Sequence, residues 1–155
     1  RAPLDDAQLL ADGVRFGKGL QLVNILRDLP ADLRKGRCYL PEAALAGVGL
    51  RPTDLRDPAR EKQLRPLYNR YLGQAEAHLA AGWAYTNSLP WRCVRVRLAC
   101  AWPILIGAKT LEALRAGPVL DAGRRIKINR ASVRNIILRT VLLYCFPPAW
   151  RRLLV

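Results

Sequence analysis

One segment near the start of the chain combines a helical pattern with oxygen-bearing side chains at regular intervals. Asn24, Asp28 and Asp32 recur every fourth residue within a stretch that is otherwise largely apolar. This spacing places side chains above one another on a single face of a helix. Because unpaired carboxylates are almost never buried, such a face requires a cationic partner. The pattern therefore predicts a site for a hard divalent cation.

The residues that follow this acidic face are basic. Arg34-Lys35-Gly36-Arg37 comes directly after Asp32 and its neighbours. Mg²⁺ prefers oxygen ligands and is usually bound by one or two carboxylates together with substrate phosphates. A basic segment beside a magnesium site suits a diphosphate group. We therefore expect an enzyme acting on a diphosphate ester, with residues 33–41 forming a loop that folds over it.

Hydrophobic periodicity predicts an all-α chain. The first helix, from about Asp5 to Leu29, is apolar nearly all round, which is typical of a central helix whose polar face lines an internal cavity. Gly17 and Gly19 within it would permit close approach of a neighbouring helix or a ligand. Further helices are expected over residues 59–87, 91–116 and 129–144, the last of them capped by Asn129.

Pro30 interrupts the first helical pattern between the two aspartates. Its ring cannot donate a hydrogen bond to the carbonyl of Leu26, and it disfavours helical geometry at Leu29. We therefore expect the helix to kink or end between Asp28 and Asp32, which would leave Asp32 on a loosened turn.

Composition narrows the class of protein further. A chain of 155 residues, with 51% apolar and 25% charged residues, suffices for one globular domain. Its four cysteines show no paired metal-ligand spacing and are expected to be reduced. The longest apolar run, residues 136–146, falls short of the roughly 20 residues that span a bilayer. We therefore expect a cytoplasmic protein, with peripheral membrane contact left open.

The formal net charge of +14 favours an anionic partner. A nucleic-acid-binding protein would gather its arginines on one face, whereas the arginines here are spread through nearly every segment. We therefore do not expect nucleic acid as the partner. Arg92, Arg95 and Arg97 are interpreted as an exposed face of a helix.

Three segments resemble one protein family. The run that starts Gly19-Leu-Gln-Leu-Val-Asn-Ile-Leu-Arg-Asp28 and continues through Asp32 to Tyr39-Leu40-Pro41 resembles the second aspartate-rich motif of the squalene/phytoene synthase family. Residues 98–111 and Lys127-Ile-Asn-Arg130 are similar to later parts of the same family. The resemblance implies an all-α fold, a partial helical bundle of the isoprenoid synthase type.

The resemblance also implies that part of the family pattern is missing here. Family members carry two aspartate-rich motifs that face each other across a central cavity, and the first lies well upstream. The residues before Gln21 contain no Asp-x-x-x-Asp, and the chain begins with Arg1. We therefore expect residues 1–155 to be the C-terminal part of a single domain that is inactive by itself.

The resemblance assigns roles to individual residues. Asn24, Asp28 and Asp32 would hold Mg²⁺, or alternatively Mn²⁺, and Asp28 and Asp32 would be the catalytic pair. Substrate-binding roles would fall to Gln21, Arg27, Arg37, Lys127 and Arg130. For Lys127 and Arg130, solvated charges beside a helix start are an equally good interpretation.

The activity implied is head-to-head condensation of two prenyl diphosphates, farnesyl or geranylgeranyl, to a squalene- or phytoene-type product. The product, a following reduction by NADPH and the oligomeric state stay open. One alternative is a non-catalytic scaffold subunit of the same fold, and another is a basic helical nucleic-acid-binding protein.

Overall fold

The computed structural model describes residues 6–121, 123 and 126–154, and this part of the chain is helical with no strand. The helices are α1 (Asp6–Arg34), α2 (Glu42–Ala46), α3 (Glu61–Ser88), α4 (Val94–Ala116), α5 (Arg130–Leu143) and α6 (Pro147–Arg151). Three short 3₁₀ turns, Pro52–Arg56, Pro58–Arg60 and Arg152–Leu154, complete the order. The all-α prediction is confirmed. Asp5, the predicted helix start, lies outside the described residues.

The four predicted long helices correspond to α1, α3, α4 and α5. The Asn129 cap is confirmed, because its side-chain oxygen accepts the backbone N–H of Ser132 at 2.7 Å. The connector between α1 and α3 was expected to be loop-rich, and it contains α2 and two of the 3₁₀ turns. No helix in the described ranges is long and apolar enough to cross a membrane.

The core lies between α1, α3 and α4. Helices α1 and α3 run antiparallel. Phe16 lies against Gly82, and Leu26, which comes later on α1, contacts Tyr68, which comes earlier on α3. Burial of leucine at helical spacing on both helices accounts for most of this packing. The fully buried leucines and isoleucine include Leu26, Leu29, Leu64, Leu72, Leu79, Ile104 and Leu111.

Two glycines allow α1 and α3 to approach closely. A Cβ at Gly19 would lie 3.0 Å from His78 Cβ and 3.1 Å from the backbone nitrogen of Leu79. A Cβ at Gly82 would lie 2.7 Å from the ring of Phe16. The expectation of close helix approach is therefore confirmed at Gly19, but Gly17 has no described neighbour within 4 Å of such a Cβ.

The outer face of α1 is open, which differs from the predicted internal cavity. Gln21 and Asn24 are exposed, and on the same helix Leu10 and Val14 are 71% and 50% exposed. Periodicity shows that a helix face is apolar, but it does not show which element covers that face. In the described part of the chain, α1 packs chiefly against α3 and α4, and this face meets neither.

Arg97 is buried, so its interpretation as part of an exposed arginine face is wrong. Its guanidinium lies 4.6, 5.9 and 5.4 Å from the ring centres of Trp91, Tyr144 and Trp150. It donates hydrogen bonds to the backbone oxygen of Leu89 at 2.7 Å and to the side chain of Asn87 at 3.2 Å. Aromatic faces and carbonyls compensate the buried charge, although burial still lowers the pKa of Arg97.

The Tyr144 ring also ties the end of α5 to the rest of the bundle. It stacks on Trp91 at a centroid distance of 4.3 Å, and its hydroxyl donates to the Trp91 carbonyl at 2.6 Å. Within α5, Thr140 accepts a hydrogen bond from the indole of Trp102 at 3.0 Å. These contacts fix which face of α5 turns inward.

The two glycines of α1 offer a matched test of the helix crossing. Gly19→Ala should lower the free energy of unfolding by about 1–3 kcal/mol, because the new methyl group meets backbone that cannot move away. Gly17→Ala should raise it by up to about 1 kcal/mol, since alanine favours the helix and meets no neighbour there. Urea unfolding followed by circular dichroism measures both variants, and equal effects would contradict the crossing described here.

Candidate functional site

A cleft of about 270 Å³ lies where the C-terminal end of α1 faces the segment that follows α4. Its lining includes three carboxylates and three basic side chains alongside apolar residues. The acidic residues are Asp28, Asp32 and Asp121, and the basic residues are Arg27, Arg34 and Lys35. The structure thus brings Asp28, Asp32 and Arg27 together in one place, as the sequence pattern predicts.

Helix α1 continues to Arg34, so of the two expectations, a kink or an end between Asp28 and Asp32, the end is wrong. Proline removes the N–H that would bond to the carbonyl of Leu26. The hydroxyl of Tyr68 on α3 donates to that carbonyl instead, at 2.9 Å. Burial raises the pKa of Tyr68, so the hydroxyl keeps its proton and remains a donor. The helix therefore carries both Asp28 and Asp32, one turn apart.

Arg27 and Asp28 form a half-buried ion pair at the cleft. The guanidinium of Arg27 donates two hydrogen bonds to the carboxylate of Asp28, at 3.1 and 2.6 Å. The side chains of Arg27 and Asp28 are 31% and 27% exposed. The hydrogen bonds to Asp28 raise the pKa of Arg27. Asp28 is therefore a charge-compensated carboxylate that still reaches solvent.

A tight turn ends α1 and decides which basic residues face the cleft. The backbone N–H groups of Lys35 and Arg37 both donate to the carbonyl of Asp32 at 2.9 Å, and Gly36 between them adopts a φ of 74°. This is the left-handed cap that favours glycine. The turn leaves Arg34 and Lys35 on the cleft, whereas Arg37 is exposed and outside its lining.

The opposite wall of the cleft is held by an ion pair on α3. The carboxylate of Glu61 accepts the backbone N–H groups of Val119 and Leu120, at 3.0 and 2.8 Å. Arg65, which pairs with Glu61, donates to the carbonyls of Leu114 and Gly117 at 3.1 and 2.7 Å. These bonds fix the segment after α4 in place, although it lacks regular structure.

Several residues predicted for the site lie elsewhere. Gln21 and Asn24 are exposed on the open face of α1, and neither lines the cleft. Lys127 and Arg130 are also exposed and outside its lining, although the neighbouring Ile126 is part of it. Their assigned roles stay predictions.

The sequence pattern does not predict Asp121 and Val119 as lining residues. They follow Gly117-Pro118, and such a pair indicates only that a helix ends. A break in a helix shows that the chain turns, but it gives no information on which surface the following residues meet.

The donor set of the cleft suits Mg²⁺ in part. Asp28 and Asp32 offer hard oxygen ligands one helical turn apart. Among the residues that the structure describes, however, no group of three or more His, Cys, Asp and Glu side chains is arranged to hold a metal ion. Two carboxylates do fit an ion that takes its remaining ligands from water and substrate phosphates, as Mg²⁺ usually does.

A larger cavity of about 540 Å³ lies between α3, α4 and α5 and shares no lining residue with the cleft. Leu79, Leu105 and Ile136 contribute to its apolar surface. Its two carboxylates are already paired, Glu76 with Arg115 at 2.7 Å and Glu112 with Lys109 at 2.6 Å. These two carboxylates come from different helices, α3 and α4, whereas Asp28 and Asp32 of the cleft lie one turn apart on α1.

Comparison with known proteins agrees with the motif on α1. Residues 2–132 match the family model described as squalene/phytoene synthase. The chain belongs to this family.

Curated members of the squalene/phytoene synthase family align over much of the chain. Presqualene diphosphate synthase of Rhodopseudomonas palustris is 33% identical over 136 residues, which cover 83% of this chain and 47% of the relative. Phytoene synthase of Thermus thermophilus is 31% identical over 138 residues, covering 89% and 46%. 15-cis-phytoene synthase of Enterobacter agglomerans is 41% identical over 100 residues, covering 63% and 34%. The chain thus spans about half the length of the first two relatives.

The hydrogen bond from Tyr68 to Leu26 can be tested in this member of the squalene/phytoene synthase family. The test measures how much the bond stabilises the part of α1 that carries Asp28 and Asp32. Tyr68→Phe should lower the free energy of unfolding by about 1–2 kcal/mol, because a buried carbonyl loses its donor. In a Pro30→Ala background the backbone N–H at position 30 can serve that carbonyl, so the same substitution should cost less than half as much. Urea unfolding of the four variants forms a double-mutant cycle. Equal costs in both backgrounds would contradict the proposed exchange of donors.

Proposed function

We propose that this chain supplies one diphosphate-binding half of an enzyme that condenses two prenyl diphosphates head to head. The observation that carries the proposal is the cleft in which Asp28 and Asp32 lie together with Arg27, Arg34 and Lys35. Carboxylates suited to a metal and cations suited to phosphate occur there side by side. Membership of the squalene/phytoene synthase family supports the same reaction class.

Asp28 and Asp32 would hold Mg²⁺, or Mn²⁺ in its place. When bound, the ion would supply charge relief to a diphosphate as its bond to the allylic carbon breaks. Asn24 lies one turn earlier on α1 and is a further candidate ligand, although it is exposed and outside the cleft. No third carboxylate is required of this chain if phosphate oxygens complete the coordination.

The basic residues of the cleft would bind and orient the diphosphate. Arg34 and Lys35 line its edge, and Arg27 is positioned by its hydrogen bonds to Asp28. Fixed cations stabilise developing negative charge on a leaving group without reorganisation. The ion pair with Arg27 compensates the half-buried carboxylate of Asp28 within the chain. Gln21, Arg37, Lys127 and Arg130 stay candidates for more distant substrate contacts.

We further propose that the active enzyme is a longer protein. The polar and apolar residues of the open face of α1, among them Val14, Gln21 and Asn24, are exposed in this chain. A reactive allylic cation requires a dry cavity, which an open face cannot provide. A facing half with its own aspartates would close that cavity, and the coverage of about half of two relatives supports this arrangement.

The prenyl donors proposed are farnesyl or geranylgeranyl diphosphate, and the product is of the squalene or phytoene type. Reduction by NADPH is not part of the proposal. We propose a cytoplasmic enzyme in peripheral contact with a membrane, because both substrates and product are long apolar chains.

In the whole protein, Asp28→Asn should reduce Mg²⁺-dependent turnover of farnesyl or geranylgeranyl diphosphate by about 10²-fold or more, since charge stabilisation at a leaving group is lost. The effect is measured as the rate at which radiolabelled substrate is converted to product. Far-UV circular dichroism verifies that the variant keeps its helices.

Asp12→Asn provides the matched control for this experiment. Asp12 is on the same helix and undergoes the same change in charge, but it does not line the cleft. Its variant should keep full turnover. Full activity of the Asp28 variant would remove that residue from the site, and an inactive whole protein would favour the scaffold alternative.

A further inference from the structure

The C-terminal part of the chain is basic and lacks acidic residues. Beyond Asp121 the sequence contains no Asp or Glu. The basic residues of this segment are Arg124, Arg125, Lys127, Arg130, Arg134, Arg139, Arg151 and Arg152. More than half of the formal net charge of +14 is therefore concentrated in the last part of the sequence.

Helix α5 and the turn that follows it expose large apolar side chains to solvent. Leu138, Val141, Leu142 and Phe146 are 57%, 50%, 61% and 60% exposed. Leu138 and Leu142 are four residues apart on α5, which places them along one side of the helix, and Phe146 follows beyond the helix end. Single exposed apolar residues are common on proteins, but a contiguous row of this kind marks an interaction surface.

Arginines flank this apolar row. Arg134 is exposed one turn before Leu138, and Arg139 is exposed beside it. We define the α5 face as Arg134, Leu138, Arg139, Leu142 and Phe146. A helix with an apolar row and basic flanks is typical of segments that lie in the plane of a membrane surface.

The rest of the fold holds the α5 face outward. On the inward side, Thr140 accepts the indole N–H of Trp102 at 3.0 Å, and Tyr144 stacks on Trp91 at 4.3 Å. Rotating the helix to bury Leu138 and Leu142 would break both contacts. The apolar row is therefore presented by a rigid element.

We propose that the α5 face docks on the surface of an anionic lipid bilayer. The apolar side chains would enter the boundary between headgroups and acyl chains, and Arg134 and Arg139 would pair with lipid phosphates. The inference rests on the membrane contact proposed above and is independent of the diphosphate cleft. It identifies the surface that makes the contact and the charge of the lipid.

Charge argues against a second copy or a nucleic acid as the occupant of this face, and the rest of the same protein is an outcome of the test. A second copy packed on it would bring arginines together, and no acidic residue follows Asp121 to compensate them. A nucleic acid would match the arginines but would leave Leu138, Leu142 and Phe146 without an apolar partner. An anionic bilayer satisfies both the apolar row and the basic flanks.

The test is co-sedimentation of the whole protein with vesicles of phosphatidylcholine alone or with phosphatidylglycerol added. The wild type should bind the anionic vesicles and bind the neutral ones weakly. The double variant Leu138→Glu/Leu142→Glu and the double variant Arg134→Gln/Arg139→Gln should each weaken binding to anionic vesicles by about tenfold or more. Added salt should weaken the wild type more than the arginine variant.

Two control variants distinguish vesicle binding by the α5 face from nonspecific binding through charge or hydrophobicity. Val96→Glu changes an apolar residue of α4 that is 51% exposed, and Arg56→Gln/Arg70→Gln removes two exposed arginines outside the α5 face. Both controls should bind anionic vesicles as the wild type does. Turnover of detergent-dispersed substrate should be unchanged in every variant, which distinguishes a failure of docking from a failure of the cleft.

Three outcomes would overturn the proposal. The first is equal binding of wild type and α5-face variants to anionic vesicles. The second is a change of oligomeric state in the α5-face variants with vesicle binding unchanged, which would assign the face to a second copy. The third is unfolding of the glutamate variant, shown by circular dichroism, which would assign the face to another part of the same protein.

Discussion

Helices α1 and α3 cross where Gly19 lies against the backbone of Leu79, and the rest of the structure depends on this close approach. A side chain at position 19 would push the helices apart by a distance that packed leucines cannot absorb. The same crossing brings Tyr68 within hydrogen-bond distance of Leu26. Helix packing at the middle of α1 thereby positions the donor for the Leu26 carbonyl, which Pro30 leaves without a backbone N–H.

The cleft combines charged groups that would each be unfavourable if they were partly buried without a partner of opposite charge. Asp28 is half-buried and is compensated by the guanidinium of Arg27. The far wall of the cleft includes irregular chain, yet Glu61 and Arg65 on α3 satisfy three backbone groups of that segment and the carbonyl of Leu114 near the end of α4. Polar groups close to a core are stable when they are hydrogen-bonded, and this condition is met on both sides of the cleft.

Much of the fold follows from the sequence because helices are specified locally. Apolar spacing and capping residues such as Asn129 indicate where the long helices begin and end. The grouping of Asp28 with Asp32 follows from the period of the helix alone. These predictions need no information about which helices meet.

The remaining features depend on contacts between distant parts of the chain. Pro30 argues locally for a break, whereas the group that donates to the Leu26 carbonyl in place of its N–H is the hydroxyl of Tyr68 on another helix. Arginine is usually a surface residue, but Arg97 is buried by the nearby Trp91 together with Tyr144 and Trp150, which lie about 50 residues further along the chain. The exposure of Asn24 likewise depends on what packs over α1, which no periodicity encodes.

Because either position 30 or Tyr68 can donate a hydrogen bond to the carbonyl of Leu26, substitutions at positions 30 and 68 should be coupled in evolution. A substitution at Tyr68 that removes the hydroxyl is tolerated best when position 30 regains an N–H, whereas a proline at position 30 selects for a side-chain donor on α3. Within a lineage, loss of the Tyr68 hydroxyl should therefore accompany or follow loss of Pro30, although the two residues are 38 positions apart in sequence.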